Sequence, residues 1–267
     1  MANGRVAMIT GASRGVGAAT AEHFADAGYR VALVATSDES LRETIASVEQ
    51  RGAEALALGG DLADLEFARD AVRHTIDRFG RVDVLVNNAA TREMASMRRI
   101  SLESWEHTLR VCLTAPAFLS RWAAEDMQRR SSGVIINISS IMATQVAGVC
   151  PAYVAAKGGL DVLTYELASL YGPYGVRVVG VQPGAIDTEL SRRLVDDDGS
   201  EQIRTFSEDM IMLRRWAEPA EIARLIVFLA SDAASYITAT NIVADGGWTR
   251  QHFPHSLKRR QFPKDFE

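Results

Sequence analysis

An open, doubly wound α/β fold is predicted for this 267-residue chain, with a parallel sheet covered by helices on both faces. Three observations predict it. Short apolar runs of the buried-strand kind alternate along the chain with stretches of helical period. The first run ends in a glycine turn, Gly11-Ala-Ser-Arg-Gly15-Val-Gly17, which opens a helix. No repeat, low-complexity tract or Pro/Gly/Ser-rich linker interrupts the alternation, so a single domain over 1–267 is expected.

Composition narrows the function classes. A chain that is 47% hydrophobic and 24% charged can bury an ordinary core. Its net charge of −5, from 29 basic and 34 acidic residues, offers no overall basic field to nucleic acid or an anionic membrane. Lys258-Arg-Arg260 is a local patch and is read as a solvated face. Cys112 and Cys150 fit neither a disulfide framework nor a metal-ligand spacing, so no metal is expected and a reducing, cytoplasmic setting is. Neither a secretory leader nor a membrane-length apolar run is read.

The elements follow in order. Arg5-Val-Ala-Met-Ile-Thr10 is a buried parallel strand, and the helix after it runs to Gly28. Strand, glycine turn and helix start together make a phosphate cradle, because glycine lets backbone approach a pyrophosphate and the helix N-terminus points free N–H groups at it. The second strand, 29–35, ends in Thr36-Ser37-Asp38. An acidic residue directly at that end would bind ribose hydroxyls; Thr36 stands there instead. With Ser37 and the guanidinium of Arg14 it suits a 2′-phosphate, so NADP(H) is preferred and NAD(H) possible. Asp38 is expected to cap the next helix, 39–50, with ribose contact as the alternative.

A third strand over 54–58 leads to Gly59-Gly-Asp61-Leu62, where Asp61 is either an adenine contact or a turn aspartate. Helix 64–79 and strand 82–86 then reach Asn87-Asn88-Ala89-Ala90, small and amide-bearing residues that let a cofactor pass closely. After a polar loop, 91–100, a long helix is expected over 102–130 with an interruption at Pro116. Strand 134–138, helix 151–171 and strand 176–181 follow, the last running into Gln182-Pro183-Gly184. Residues 186–213 are expected to fold over the ligand cleft as a lid, with a turn at Asp196-Asp-Asp-Gly199. Helix 219–229 and strand 241–244 complete the alternation. The extension 248–267 carries Trp248, Phe253, Phe262 and Phe266, too many large apolar groups for a solvated tail, so it should pack on its own or a neighbouring subunit.

The chemistry concentrates between Ser140 and Lys157. Tyr153 and Lys157 are four apart in Pro151-Ala-Tyr-Val-Ala-Ala-Lys157, a helix start, so both lie on one face. A nearby ammonium favours the phenolate form of a phenol and so suits it to exchange a proton with an alcohol or ketone. Ser140, just after a strand, could orient the substrate oxygen.

Taken in order and spacing, Thr10-Gly11-x-x-x-Gly15-x-Gly17, Asn87-Asn88-Ala89, Ser140, Tyr153-x-x-x-Lys157 and Pro183-Gly184 resemble the short-chain dehydrogenase/reductase family over about 4–247. The look is closest to its 3-oxoacyl-(acyl carrier protein) reductase branch. The resemblance implies a Rossmann-type sheet of about seven strands in the order 3-2-1-4-5-6-7. It implies an oxidoreductase moving a hydride between nicotinamide and a secondary alcohol or ketone. Tyr153 would be the acid/base, Ser140 would hold the substrate oxygen, and Lys157 would assist Tyr153 and bind the nicotinamide ribose. Gly11, Ser13, Arg14, Gly15, Val16, Gly17, Thr36, Ser37, Asp61, Leu62, Asn88, Ala89, Ala90, Pro183, Gly184, Ile186 and Thr188 would line the cofactor with Tyr153 and Lys157. A homotetramer, or homodimer, built on the two long helices is implied as well.

Three positions depart from the family pattern. Cys112 stands in Val111-Cys112-Leu113 where an asparagine that holds a proton-relay water is usual. Ala90 replaces a glycine, and Ala239 follows Ile237-Thr238 where glycine is usual. The change at Cys112 motivates an alternative, a cofactor-binding protein with weak or no turnover.

Overall fold

In the computed structural model, which describes residues 4–189, 191 and 200–266, the strands form one parallel sheet in the order β3-β2-β1-β4-β5-β6-β7. They are β1 (Val6–Thr10), β2 (Arg30–Ala35), β3 (Ala55–Gly59), β4 (Val84–Asn87), β5 (Gly133–Ile138), β6 (Val176–Pro183) and β7 (Thr240–Ala244). Chain order reverses between β1 and β4, which pair with each other, so the loops leaving their carboxyl ends diverge and open a crevice. The expected order and sheet type are those found.

Alternation along β1 shows how the sheet is covered. Val6 and Met8 face a core shared with α3 (Leu65–Phe79), α5 (Ala115–Arg129) and α6 (Pro151–Tyr171). Ala7 and Ile9 face the other core, built with α1 (Gly15–Asp26), α2 (Arg42–Gln50) and a later helix at Pro219–Ala230. All five residues of β1 are buried, which is why the strand reads as an unbroken apolar run.

Two expectations are corrected. The helix over 102–130 is not broken at Pro116. It comprises α4 (Leu102–Leu109), a π-helical turn at Arg110–Thr114, and α5, with Pro116 in the first turn of α5. A proline there has no N–H to give the carbonyl four residues back, at Cys112, and the wider turn accommodates the loss. Nor does Asp38 cap the second helix. A 3-10 turn, Glu39–Leu41, precedes α2, Asp38 makes no capping bond, and Ser37 Oγ accepts from the Ser40 N–H at 3.2 Å. Three residues before a free N–H, a short hydroxyl is already in reach, so the preceding residue takes the role.

The turn expected at 196–199 lies outside the described residues. Beyond it come α7 (Ser200–Met210), α8 (Pro219–Ala230) and α9 (His255–Gln261). The C-terminal extension packs on its own chain: Asp209 of α7 accepts from the Ser256 N–H at 2.8 Å and from its hydroxyl at 2.6 Å. Gln251 Nε2 donates to the Asp209 carbonyl at 3.0 Å. No helix among the described residues is long and apolar enough to cross a membrane.

At the start of α8, Glu221 reaches back to the Glu218 N–H at 2.9 Å and takes both terminal nitrogens of Arg215, at 2.6 and 2.8 Å. The Arg215 hydrogen bond, then the Glu218 N–H, pull its carboxyl down from 4.5 to about 2. Since the folded value lies below the ordinary one, this stabilisation is present above 4.5 and is lost as pH falls towards 2. Glu221→Gln should therefore lower stability at neutral pH, and the gap to the parent should close in urea titrations as pH drops through that window. A gap independent of pH would remove the charge from the explanation.

Candidate active site

Helix α6 starts with Pro151, whose missing N–H costs nothing in a first turn, and places Tyr153 and Lys157 on one face. Lys157 is 2% exposed, and its Nζ donates to the carbonyl of Ile138, the last residue of β5, at 2.6 Å. The same Nζ lies 5.5 Å from the Tyr153 ring centroid. Ser140, two residues beyond Ile138, heads the 3-10 turn Ile141–Ala143, and its Oγ accepts from the Met142 N–H at 3.1 Å. The expected pair is thus brought together, at the carboxyl end of the strand that delivers Ser140.

Two groups in this region, Asp161 and Arg92, were not singled out from the sequence. Asp161, one turn after Lys157, accepts from Gln182 Nε2 at 2.5 Å and leaves its other oxygen buried without a partner. Burial pushes its carboxyl up, against the Gln182 hydrogen bond and the Lys157 charge. A charged residue inside the apolar stretch Gly159-Leu160-Asp161-Val162-Leu163 was the available signal. Arg92 places its guanidinium carbon 5.6 Å from the Tyr153 ring centroid. Cys112 is fully buried; its thiol donates to the Thr91 carbonyl and accepts from the Thr91 N–H, both at 3.4 Å. Burial pushes the Cys150 thiol up, with Arg92 opposing.

The glycine turn is fixed by close approaches. A Cβ on Gly17 would sit 2.1 Å from the Gly11 carbonyl, and one on Gly11 would sit 2.8 Å from Ala89 Cα. Asn88 Nδ2 donates to the carbonyls of Thr10 and Gly11 at 2.9 and 3.1 Å, while Thr10 Oγ1 accepts from the N–H groups of Asn88 and Ala89. The turn after β1 is therefore tied to the loop after β4. Arg14 is the N-cap of α1, whose first turn has no acidic residue, so its positive end is free for an anion. This donor set fits the pyrophosphate of a dinucleotide.

The remaining expected contacts are divided. Ser13, Thr36, Ser37 and Ala90 are partly or wholly exposed, whereas Val16 and Leu62 turn into the two cores. Asp61 forms a turn, accepting from the Ala63 N–H at 2.9 Å. Pro183 closes β6, Gly184 lies against Asp245, and Ile186 bridges to Ala217. Thr188 sits against Gly15, where its methyl would be 3.2 Å from a Cβ. Arg14 pairs with Glu189 at 3.2 Å, both about half exposed, a contact of little strength. A separate cleft of about 460 Å³ lies away from Tyr153, between α7 and α8 and lined by Arg204, Trp216 and Arg224.

Known proteins resemble this chain in sequence and fold. The family model described as enoyl-(acyl carrier protein) reductase matches residues 11–249. An uncharacterised oxidoreductase of Thermotoga maritima is 40% identical, covering 93% of this chain and 97% of its own. The 3-oxoacyl-[acyl-carrier-protein] reductase of Synechocystis is 35% identical, covering 91% and 96%. A candidate NAD(P)-dependent gluconate 5-dehydrogenase from Beutenbergia cavernae, solved with bound NADP, superposes with a TM-score of 0.86 at 37% identity, covering 92% and 97%. With the glycine turn, the Asn88 tie and the Tyr153 and Lys157 face in the same chain, these matches show that it belongs to the short-chain dehydrogenase/reductase family, as an NAD(P)-dependent oxidoreductase of CH–OH and C=O groups.

Proposed function

We propose that Tyr153 is the acid/base that gives a proton to a ketone oxygen in reduction and takes it from a secondary alcohol in oxidation. The observation that carries this is the buried Lys157 ammonium held beside the Tyr153 ring. Ser140 Oγ would hydrogen-bond the substrate oxygen, and Lys157 would hold the ribose. When bound, NAD(P)(H) supplies or accepts the hydride. The glycine turn, the N-terminus of α1 and Asn88 would hold it; the lid expected over 186–213 lies partly outside the described residues. Cys112 leaves this scheme open, because a backbone oxygen can hold a relay water as an amide side chain would.

Tyr153→Phe should lower kcat for any accepted alcohol or ketone by roughly a hundredfold or more while cofactor still binds, since the phenol proton is removed and little else. Turnover equal to the parent would refute the assignment. Binding of cofactor without turnover of any alcohol or ketone by the parent would instead favour the non-catalytic alternative.

The preference for NADP(H) rests on Thr36, Ser37 and Arg14, with Arg14 leaving Glu189 to meet a 2′-phosphate. Fluorescence titration should give tighter binding of NADPH than NADH, and Arg14→Ala should narrow the difference. Equal or tighter binding of NADH by the parent would overturn it.

A homotetramer is supported by α6, which leaves Val162, Tyr165 and Leu170 exposed at 65%, 44% and 54%. Sedimentation should give four chains, and Val162→Glu should yield smaller species. A monomeric parent would exclude this use of α6.

A further inference from the structure

We infer that Arg92 binds a carboxylate carried by the substrate, so that the enzyme acts on oxo acids and hydroxy acids. This rests on the oxidoreductase reading above and names its substrate class. Arg92 lies in the loop leaving β4, directly after Thr91, whose N–H and carbonyl are both fixed by the Cys112 thiol. The base of the side chain is therefore anchored to the π-helical turn. From there the guanidinium reaches between two walls of the crevice, Met142 after β5, with Nη1 3.7 Å from its sulfur, and the ring of Tyr153 on α6.

No carboxylate among the described residues pairs with it. Arg14, Arg204 and Arg215 each have an acidic partner, but Arg92 has a thioether and a ring face. Its Nε is buried and without a hydrogen-bond partner. A half-buried guanidinium left so is costly unless an anion meets it, and its planar fork matches a carboxylate in geometry as well as charge. The Cys150 thiol, which feels the Arg92 charge, is pushed up by burial and so is no anion for it.

Position sets the class more narrowly. The guanidinium carbon is 5.6 Å from the centre of the ring whose hydroxyl would meet the reacting oxygen, so the anion must lie within a few bonds of the carbonyl carbon. The same two loops expose Met94 and Met97 on one side and Val146 and Val149 on the other. They would receive an apolar remainder of the substrate. A ketone whose only polar group is its carbonyl would leave Arg92 unmet.

Matched pairs decide the matter: 2-oxobutanoate, acetoacetate and levulinate, each against its methyl ester, with NADPH and the parent enzyme. In at least one pair the acid should exceed the ester in kcat/KM roughly ten- to hundredfold. Arg92→Met should bring that ratio towards one, and Arg92→Lys should keep part of it. Esters reduced as well as acids in every pair would overturn the inference while leaving the oxidoreductase reading intact, as would Arg92→Met slowing acid and ester by the same factor. Where neither acids nor esters turn over, calorimetric titration of the cofactor-loaded protein with the three acids separates the two readings. Acid binding lost in Arg92→Met supports the anion site while turnover fails, and no acid binding overturns it.

Discussion

The bond from Lys157 Nζ to the Ile138 carbonyl is the constraint on which the site depends. An ammonium that is 2% exposed cannot be left without partners, since burial of an unpaired charge is costly. Ile138 is the last residue of β5, so satisfying the charge also locks the first turns of α6 to the strand end that leads into Ser140. The tie is returned by Ser139, whose hydroxyl donates to the Lys157 carbonyl at 3.2 Å. Tyr153, one turn earlier, is then placed by the helix itself. Three proposed catalytic groups thus share one piece of geometry.

That junction is braced from beneath by polar groups inside otherwise apolar layers. Asn87 Nδ2 donates to Asn137 Oδ1 at 2.8 Å, and Asn137 Nδ2 donates to Thr164 Oγ1 at 2.9 Å, joining β4, β5 and α6. On the other side of Lys157, Asp161 takes Gln182 from β6, and Asn241 of β7 donates to the Asp161 carbonyl at 3.2 Å. Hydrophobic packing alone would let a helix slide along a sheet; paired amides and carboxyls fix its register because any slip leaves them unsatisfied in a low-dielectric interior. The strand carboxyl ends, where ligands of such sheets bind, are therefore held by side-chain bonds as well as by packing.

Much of this was legible in the residues. Strands buried on both faces read as apolar runs, so the parallel sheet followed, the strand order came with the family resemblance, and the glycine turn and the Tyr153 and Lys157 spacing located the crevice. What escaped was pairing between distant side chains. Nothing near Arg14 in the chain announces Glu189, and nothing near Arg92 announces the Tyr153 ring or the absence of a carboxylate, because both are properties of loops meeting after the sheet has formed. The helix break was misplaced for a related reason. Pro116 marks a missing donor, but the backbone absorbs it upstream, in the π-helical turn Arg110–Thr114.

This last point changes the meaning of Cys112. By composition it is a loss, a thiol in place of an amide that the family uses. In the fold the thiol spans the N–H and the carbonyl of Thr91, so it still ties the π-helical turn to the loop after β4. Sulfur bonds are weak, but a pair of them made by one fully buried thiol holds a loop whose next residue is Arg92. Under the proposed mechanism a relay water needs an acceptor near Lys157, and a main-chain carbonyl can take that part whatever side chain stands at 112. The side chain is then free to be chosen for what it does to the Thr91 loop, and so for where it puts the one cation that faces Tyr153 from that loop.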